Sequence, residues 1–484
     1  MNTGAHRAKR TLAVLLLAGA LVPSLGSDTW ARAAKKDRFV TETLLGPGVI
    51  AHIDAGINPY SIAFRDRSPL ARKHPSTYIE GYPKNAPALH LSLDLPYEDA
   101  LKRDEATWAR VQADTLYWIP GTRIVGAISF GSGGTCPREA PPPANGGGGC
   151  MEHRILDDHG HGTMTASRMA GDKLASLAPT ARIVSVEGLG GGSVTWAAEQ
   201  GWIDVQTNSW LSLLPPPLSG RVADETSTAF RDAAEQMFTI AASGNGTAYV
   251  LGAAPTPTYL LSTAAPGVVL VGGHDNGKLT LWAGSPPHVV ADAYGGVTAL
   301  RDSSTKIEAD PIACCTSAAA PYAAGGAMAI VQRARAILGS NQSGIDEGII
   351  AKGAANKVKE GPLADGDFTL EELRQVFFHT AEALPGEGSG DGLIHWAGEP
   401  RAPDHTAYGP GGNPFCLLCT TTPVSWSDLP DGFDAYPFVG YGAINERSLE
   451  LAFEVLAGTS PLPERPAEDA QYAADQALRG VIFP

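Results

Sequence analysis

The sequence predicts an α/β fold, a doubly wound and mostly parallel sheet flanked by helices with loop-rich insertions. Three observations lead there. Short apolar runs such as GPGVIAHID, RIVGAISF, TARIVSVEGL, FTIAASGNG and PGVVLVGG read as strands buried on both faces. Between several of them lie segments of helical composition, TWAAEQGWID and TSTAFRDAAEQM among them, so that strands alternate with helices of about ten residues, as a parallel sheet covered on both sides requires. Glycine-rich breaks close the strands, which places the functional loops along one rim of the sheet.

Composition bounds the rest. The 484 residues, 43% of them hydrophobic and 18% charged, are enough to bury a sizeable core, and 56 Gly with 37 Pro point to long surface loops. A net charge of −15 repels phosphate backbones and anionic membranes, so no nucleic-acid partner is expected; a monomer is expected as well. At the start, His6, Arg7, Lys9 and Arg10 precede an apolar run from Leu12 to Leu25, followed by small residues. This directional order reads as a secretory signal peptide over residues 1–26, and hence as a protein secreted to the periplasm or the medium. The run is too short to span a bilayer comfortably and no later stretch competes, so no membrane anchor is expected.

Six cysteines, an even number, suit an oxidising compartment. Cys136 and Cys150 bracket a Pro/Gly loop that a disulfide would restrain. Cys416 and Cys419 form a lone CxxC, read as a local disulfide ahead of a zinc or redox pair. Cys314 and Cys315 are adjacent, which leaves the connectivity open.

Past the signal, residues 38–457 are expected as one domain with insertions over about 66–120 and 385–434. The first insertion carries one helical patch, YEDALKRDEATWARVQA. Residues 316–338 read as a long helix of small side chains. FTLEELRQVFFHTAEAL reads as an amphipathic helix with Leu370, Leu373, Val376 and Phe377 on one side, and INERSLELAFEVLAG as a final helix. Residues 458–484 are expected as an acidic, loosely packed tail.

Acyl transfer by a serine hydroxyl needs a nucleophile, a base, an acid that fixes the base's tautomer, and donors for an oxyanion. The chain offers one of each at strand or helix ends. Asp54 closes an apolar strand in Ile-Asp-Ala-Gly-Ile; alone it reads first as a turn residue or a helix cap. His161 lies in His-Gly-His-Gly-Thr, where Gly162 allows another backbone to approach. The two histidines there are spaced i, i+2 and do not share a helix face, which weakens a metal reading. Ser317 opens a helix of small residues in Cys-Thr-Ser-Ala-Ala-Ala-Pro, where it could also be a simple N-cap; Pro321 is read as falling in the first turn. Asn245, in Ser-Gly-Asn-Gly, can offer its amide to a negative oxygen with Gly244 clearing space, although Asn-Gly is also an ordinary turn.

In the order Asp, His, Ser these segments resemble the subtilase family (peptidase S8). IDAGI is similar to its Asp box, HGHGTMTAS to its His box, ASGNG to its oxyanion segment and CTSAAAPYAAGGA to its Ser box; the resemblance runs over about residues 45–455. It implies a secreted serine endopeptidase with Asp54, His161 and Ser317 as triad and Asn245 with the Ser317 N–H as oxyanion hole. It also implies Ser209, Trp210, Leu211 and Gly244 as the substrate-binding segment, polypeptide substrates, no cofactor for catalysis, and room for structural calcium in Asp- and Asn-rich loops. Three positions depart from the family pattern. Ala55 stands where a hydroxyl usually follows the Asp, Cys315 where a Gly precedes Thr-Ser, and Leu211 where a Gly commonly lines the cleft. The short span between residue 26 and Asp54 leaves no room for the usual inhibitory prodomain, so folding without one is expected. The competing expectation is a subtilase fold kept as a binding or scaffold protein with impaired catalysis.

Overall fold

The computed structural model describes residues 48–130, 155–157, 159–171, 176–210, 225–244, 262–275, 278–280, 287–293, 297–309, 315–352, 358–383 and 440–482. The expected signal peptide, the 385–434 insertion, and Cys136, Cys150, Cys314, Cys416 and Cys419 lie outside these residues, as does the side chain of Cys315.

The chain opens with β1 (Val49–Asp54), passes helix α1 (Tyr97–Trp108), β2 (Ile124–Ser129), α2 (His161–Ala170), β3 (Arg182–Glu187), α3 (Gly191–Ala198), β4 (Val205–Asn208), α4 (Glu225–Gln236) and β5 (Phe238–Ala242). Then come β6 (Val269–Asp275), β7 (Lys278–Thr280), β8 (Val289–Asp292), β9 (Val297–Ala299), β10 (Ile307–Ala309), α5 (Cys315–Leu338), α6 (Leu370–His379), β11 (Ala443–Ile444), α7 (Glu446–Leu456) and α8 (Pro466–Ile482). The main sheet runs β11-β8-β6-β5-β4-β1-β3-β2 with all neighbours parallel, and β7 adds an antiparallel hairpin to β6. This is the expected doubly wound α/β sheet.

The two faces of the sheet feed two cores. In β1, Ile50 packs into the cluster built with α2, α5, α6 and α7, whereas Val49, Ala51 and Ile53 join the cluster of α3 and α4 on the other side. The period of two is that of a strand, and burial on both faces explains the uninterrupted apolar spelling of β1, β2 and β5. Each fully buried Ile or Val here contributes roughly 1.5–3 kcal/mol of transfer free energy.

Connections leaving β1 run toward β2 and β3, while that leaving β4 runs toward β5, and β1 and β4 are neighbours. The carboxyl ends of these two strands therefore flank a topological switch point, where an open α/β sheet leaves a crevice. Asp54 and Ser209 are the residues delivered to it.

Helix α5 threads the face of the sheet opposite α3 and α4. Its small side chains let it lie close: a Cβ on Gly325 would come within 2.6 Å of the Met169 carbonyl in α2. Pro321 sits inside this helix and not in its first turn as expected, because the helix already starts at Cys315.

Two segments pack more tightly than their composition suggests. The 66–120 stretch contributes Leu89, Ala100, Trp108, Tyr117 and Ile119 to the main core, and Tyr60 Oη donates to Asp104 Oδ2 at 2.9 Å while accepting from Trp108 Nε1 at 2.9 Å. The segment expected as a loose tail is largely the helix α8. Arg479 in it is fully buried, donating to the Ala264 carbonyl at 3.3 Å and pairing with Asp475, which also meets His288 Nε2 at 3.1 Å. Burial, with the neighbouring Arg479 charge, pulls the His288 imidazole down to about 4 against the pull of Asp475, so it serves there as a neutral donor.

Candidate active site

Asp54 is the last residue of β1 and points to the same face as Ile50, toward α2. Its side chain is 2% exposed. Oδ1 accepts from the Ala55 N–H at 2.7 Å and from His161 Nδ1–H at 2.8 Å, and Oδ2 accepts from the Thr165 hydroxyl at 3.0 Å. Burial by itself would raise the Asp54 carboxyl, but the charge and hydrogen bond of His161, the charge of His52 and the Ala55 N–H hold it well below the usual carboxylate range. Ala55 offers Asp54 only its N–H, and the hydroxyl donor comes from α2.

His161 is the first residue of α2, and its side chain keeps 25% exposure at the rim. An ionised carboxylate only accepts, so the proton of the neutral imidazole is fixed on Nδ1 and the Nε2 lone pair is left bare. Burial opposes the charged imidazole, yet the Asp54 charge, the bond to Asp54 and the charge of Asp157 outweigh it and leave the His161 pKa raised.

The approach of α2 to β1 depends on glycine at both contacts. A Cβ on Gly162 would lie 2.1 Å from the Gly56 carbonyl oxygen, and Gly56 itself has φ +104° with the Ile155 carbonyl 2.6 Å from its missing Cβ. Across this contact the Asn58 N–H donates to Thr163 Oγ1 at 2.9 Å. The start of α2 is capped by Asp157, whose carboxylate accepts from the His159 and Gly160 N–H groups at 3.0 and 2.7 Å and from the Thr163 N–H at 2.6 Å. Burial raises the Asp157 carboxyl in spite of these bonds from Thr163 and Gly160.

Ser317 is the third residue of α5, among small residues at the head of the helix. Its Oγ donates to the Ser209 carbonyl at 3.2 Å, and Ser209 Oγ donates back to the Ser317 carbonyl at 3.0 Å. That carbonyl is free for a side chain because its helical partner would be the amide at position 321, and a proline has no N–H. Helices α2 and α5 meet at the same end, where Met164, one turn past His161, and Ala318, next to Ser317, form a buried pair of their own. The structure therefore joins Asp54 to His161 directly and docks the helix of Ser317 on the helix of His161, with the Ser317 hydroxyl bonded to the end of β4.

Of the expected substrate-binding segment, Ser209 and Trp210 follow β4; the Trp210 indole turns into the core, 5.6 Å from the ring of Phe230, so this residue can offer a ligand only its backbone. Gly244 follows β5 in a left-handed conformation, φ +97°. Asn245 and Leu211 lie outside the described residues. Among the described residues no group of three or more His, Cys, Asp or Glu side chains gathers as a metal site, and calcium is assigned to none of them.

Sequence reasoning passed over Thr165, His52 and Asp157. The signal for Asp157 was its place four residues ahead of His161; that for His52 was a lone ionisable residue within an apolar strand.

The family model of peptidase S8, the subtilase family, matches residues 150–396, just over half of the 484-residue chain. The chain belongs to the subtilase family, and is a serine-type endopeptidase acting on polypeptides. The match begins downstream of β1, so the place of Asp54 rests on its geometry with His161 and not on the family match. Among solved structures, the prenylagaramide maturation protease PagA aligns at 14% identity over 88% of this chain and 99% of its own, with a TM-score of 0.41. The epidermin leader peptide processing serine protease EpiP from Staphylococcus aureus aligns at 13% identity over 89% of this chain and 82% of its own, with a TM-score of 0.42. No curated protein matches the chain.

Proposed function

We propose that the chain is an exported endopeptidase in which Ser317, His161 and Asp54 act as a triad. The observation that carries this reading is the 2.8 Å bond between His161 Nδ1 and a buried Asp54 at the switch point of the sheet, which leaves Nε2 free to act as a base. In the reaction His161 Nε2 takes the Ser317 proton as Oγ attacks the scissile carbonyl, and Asp54 stabilises the imidazolium that forms. The oxyanion is received by the Ser317 N–H and the Asn245 amide. Collapse expels the amine, which takes its proton from His161; water then attacks the acyl-enzyme by the same route in reverse, freeing the acid and restoring Oγ–H. The substrate lies extended against Ser209, Trp210 and Leu211 as an added strand. The bond from Ser317 to Ser209 belongs to the resting enzyme, since catalytic hydrogen bonds commonly tighten only with substrate present. Export rests on the basic-then-apolar order of residues 1–26.

A fluorophosphonate probe tests the assignment. The mature chain should be labelled at Ser317, and Ser317→Ala should abolish both labelling and peptide hydrolysis. Folded protein that resists labelling, with no peptidase activity, would instead support the binding or scaffold reading.

A further inference from the structure

We propose that His52 and Thr165 form a positioning pair that holds the second oxygen of Asp54 and, through it, sets the basicity of His161. This rests on the triad reading.

In β1, three residues share the face toward α2 and α5: Ile50, His52 and Asp54. His52 is 1% exposed, and its Nε2 lies 2.7 Å from Thr165 Oγ1. Thr165 stands one turn past His161 on α2 and has one proton to give, with Asp54 Oδ2 at 3.0 Å and the His161 and Gly162 carbonyls at 3.0 and 3.1 Å as acceptors. The carboxylate is the strongest of the three. With that proton on Asp54, Thr165 Oγ1 must receive one from His52 Nε2–H, which leaves the proton off His52 Nδ1. That tautomer fits the surroundings, because Nδ1 is buried without a partner and a bare lone pair is tolerated there better than an unpaired N–H. The result is a directed chain of donors, His52 to Thr165 to Asp54, arriving on the oxygen that His161 does not use.

The residues beside His52 show that this layer of the sheet is polar. Its register partners are Ser185 in β3 and Thr207 in β4, whose hydroxyls are also buried without partners, whereas the layer one step earlier on the same face is Ile183, Ile50 and Val205. Hydroxyls and an imidazole in a sheet interior reduce stability unless they serve something. The layer lies directly beneath the acid of the site.

Among the described residues, the charged groups around the pair are few. Asp54 and His161 are its targets; Asp157 stands ahead of α2, Glu187 pairs with Asp54 in strand register, and the stem of Arg301 lies against Gly160. Helix α5 brings no Asp, Glu, His, Lys or Arg before Arg333. Burial, only partly opposed by Asp54, pulls the His52 imidazole down to about 4, so it is a neutral donor wherever His161 works as a base.

The test measures fluorophosphonate labelling of Ser317 against pH in the full chain. Thr165→Val removes one hydroxyl and keeps the shape. It should slow labelling about tenfold, and because Asp54 loses a donor and becomes a stronger acceptor for His161, the acid limb should move up by about half a pH unit. Thr165→Ser should restore rate and limb together, and His52→Leu should shift both in the same direction by less. A Val variant that labels at the wild-type rate with an unmoved limb overturns the pair, and so do Val and Ser variants that fall alike. If His52→Leu does not fold, the Val and Ser variants decide alone. Labelling that persists in Ser317→Ala ends the triad reading, and the role of the pair with it, and is distinct from an unmoved limb in a wild type that labels at Ser317.

Discussion

Asp54 and Asp204 are buried aspartates at opposite ends of neighbouring strands, and they have been put to opposite uses. Asp204 precedes β4 at the amino edge of the sheet. It accepts from the N–H of Val49, the first residue of β1, at 2.9 Å and from both terminal nitrogens of Arg335 at 2.9 and 2.5 Å, and neither ion has any exposure. Its partner is a fully buried guanidinium, and the pair bolts β1, β4 and α5 together. Asp54 closes the other end of β1 and shares its charge with an imidazole that does titrate and that keeps one quarter of its surface open. Burial is common to both carboxylates; what distinguishes the two is a partner that is an imidazole open to solvent.

The comparison can be broken by exchanging charge for amide at each end. Asp54→Asn should lower kcat by about 10⁴-fold, since the amide favours the wrong imidazole tautomer, while the unfolding midpoint falls less than in Asp204→Asn. Asp204→Asn should do the reverse. Leaving Arg335 buried without its anion costs about 3–5 kcal/mol in denaturant unfolding, while kcat of the folded fraction is unchanged. Equal losses of stability in both variants, or an active Asp54→Asn, would erase the distinction. A smaller effect sharpens it: the raised His161 pKa places the acid limb of kcat/KM above the ordinary histidine value of about 6.5, because activity is lost as the base protonates on lowering pH. In Asp54→Asn the residual activity should lose that displacement and show its limb at lower pH, whereas in Asp204→Asn the limb should not move.

Much of the sheet was legible because parallel strands buried on both faces spell themselves as apolar runs. The short edge elements β7, β9, β10 and β11 were not, as two or three residues carry no periodicity. The 66–120 segment read as an insertion since its core residues, Leu89, Trp108, Tyr117 and Ile119, are spaced without a repeat and are joined through side-chain bonds that composition does not record. Helix α8 was missed because its deepest residue is Arg479, a type that sequence patterns place on the surface. At the candidate site, strand and helix ends marked Asp54, His161 and Ser317 as the residues to look at. The support behind them was not, because which face His52 and Thr165 occupy depends on the packing of α2 against β1, and that is set by the contact of Gly56 with Gly162.

Proline in α5 ties together two positions far apart in the chain. With no amide proton at 321, the Ser317 carbonyl has no helical donor and takes its hydrogen bond from the hydroxyl of Ser209. A change at either place alters what the other will tolerate, so substitutions there should behave non-additively, and related chains that differ at one should tend to differ at both.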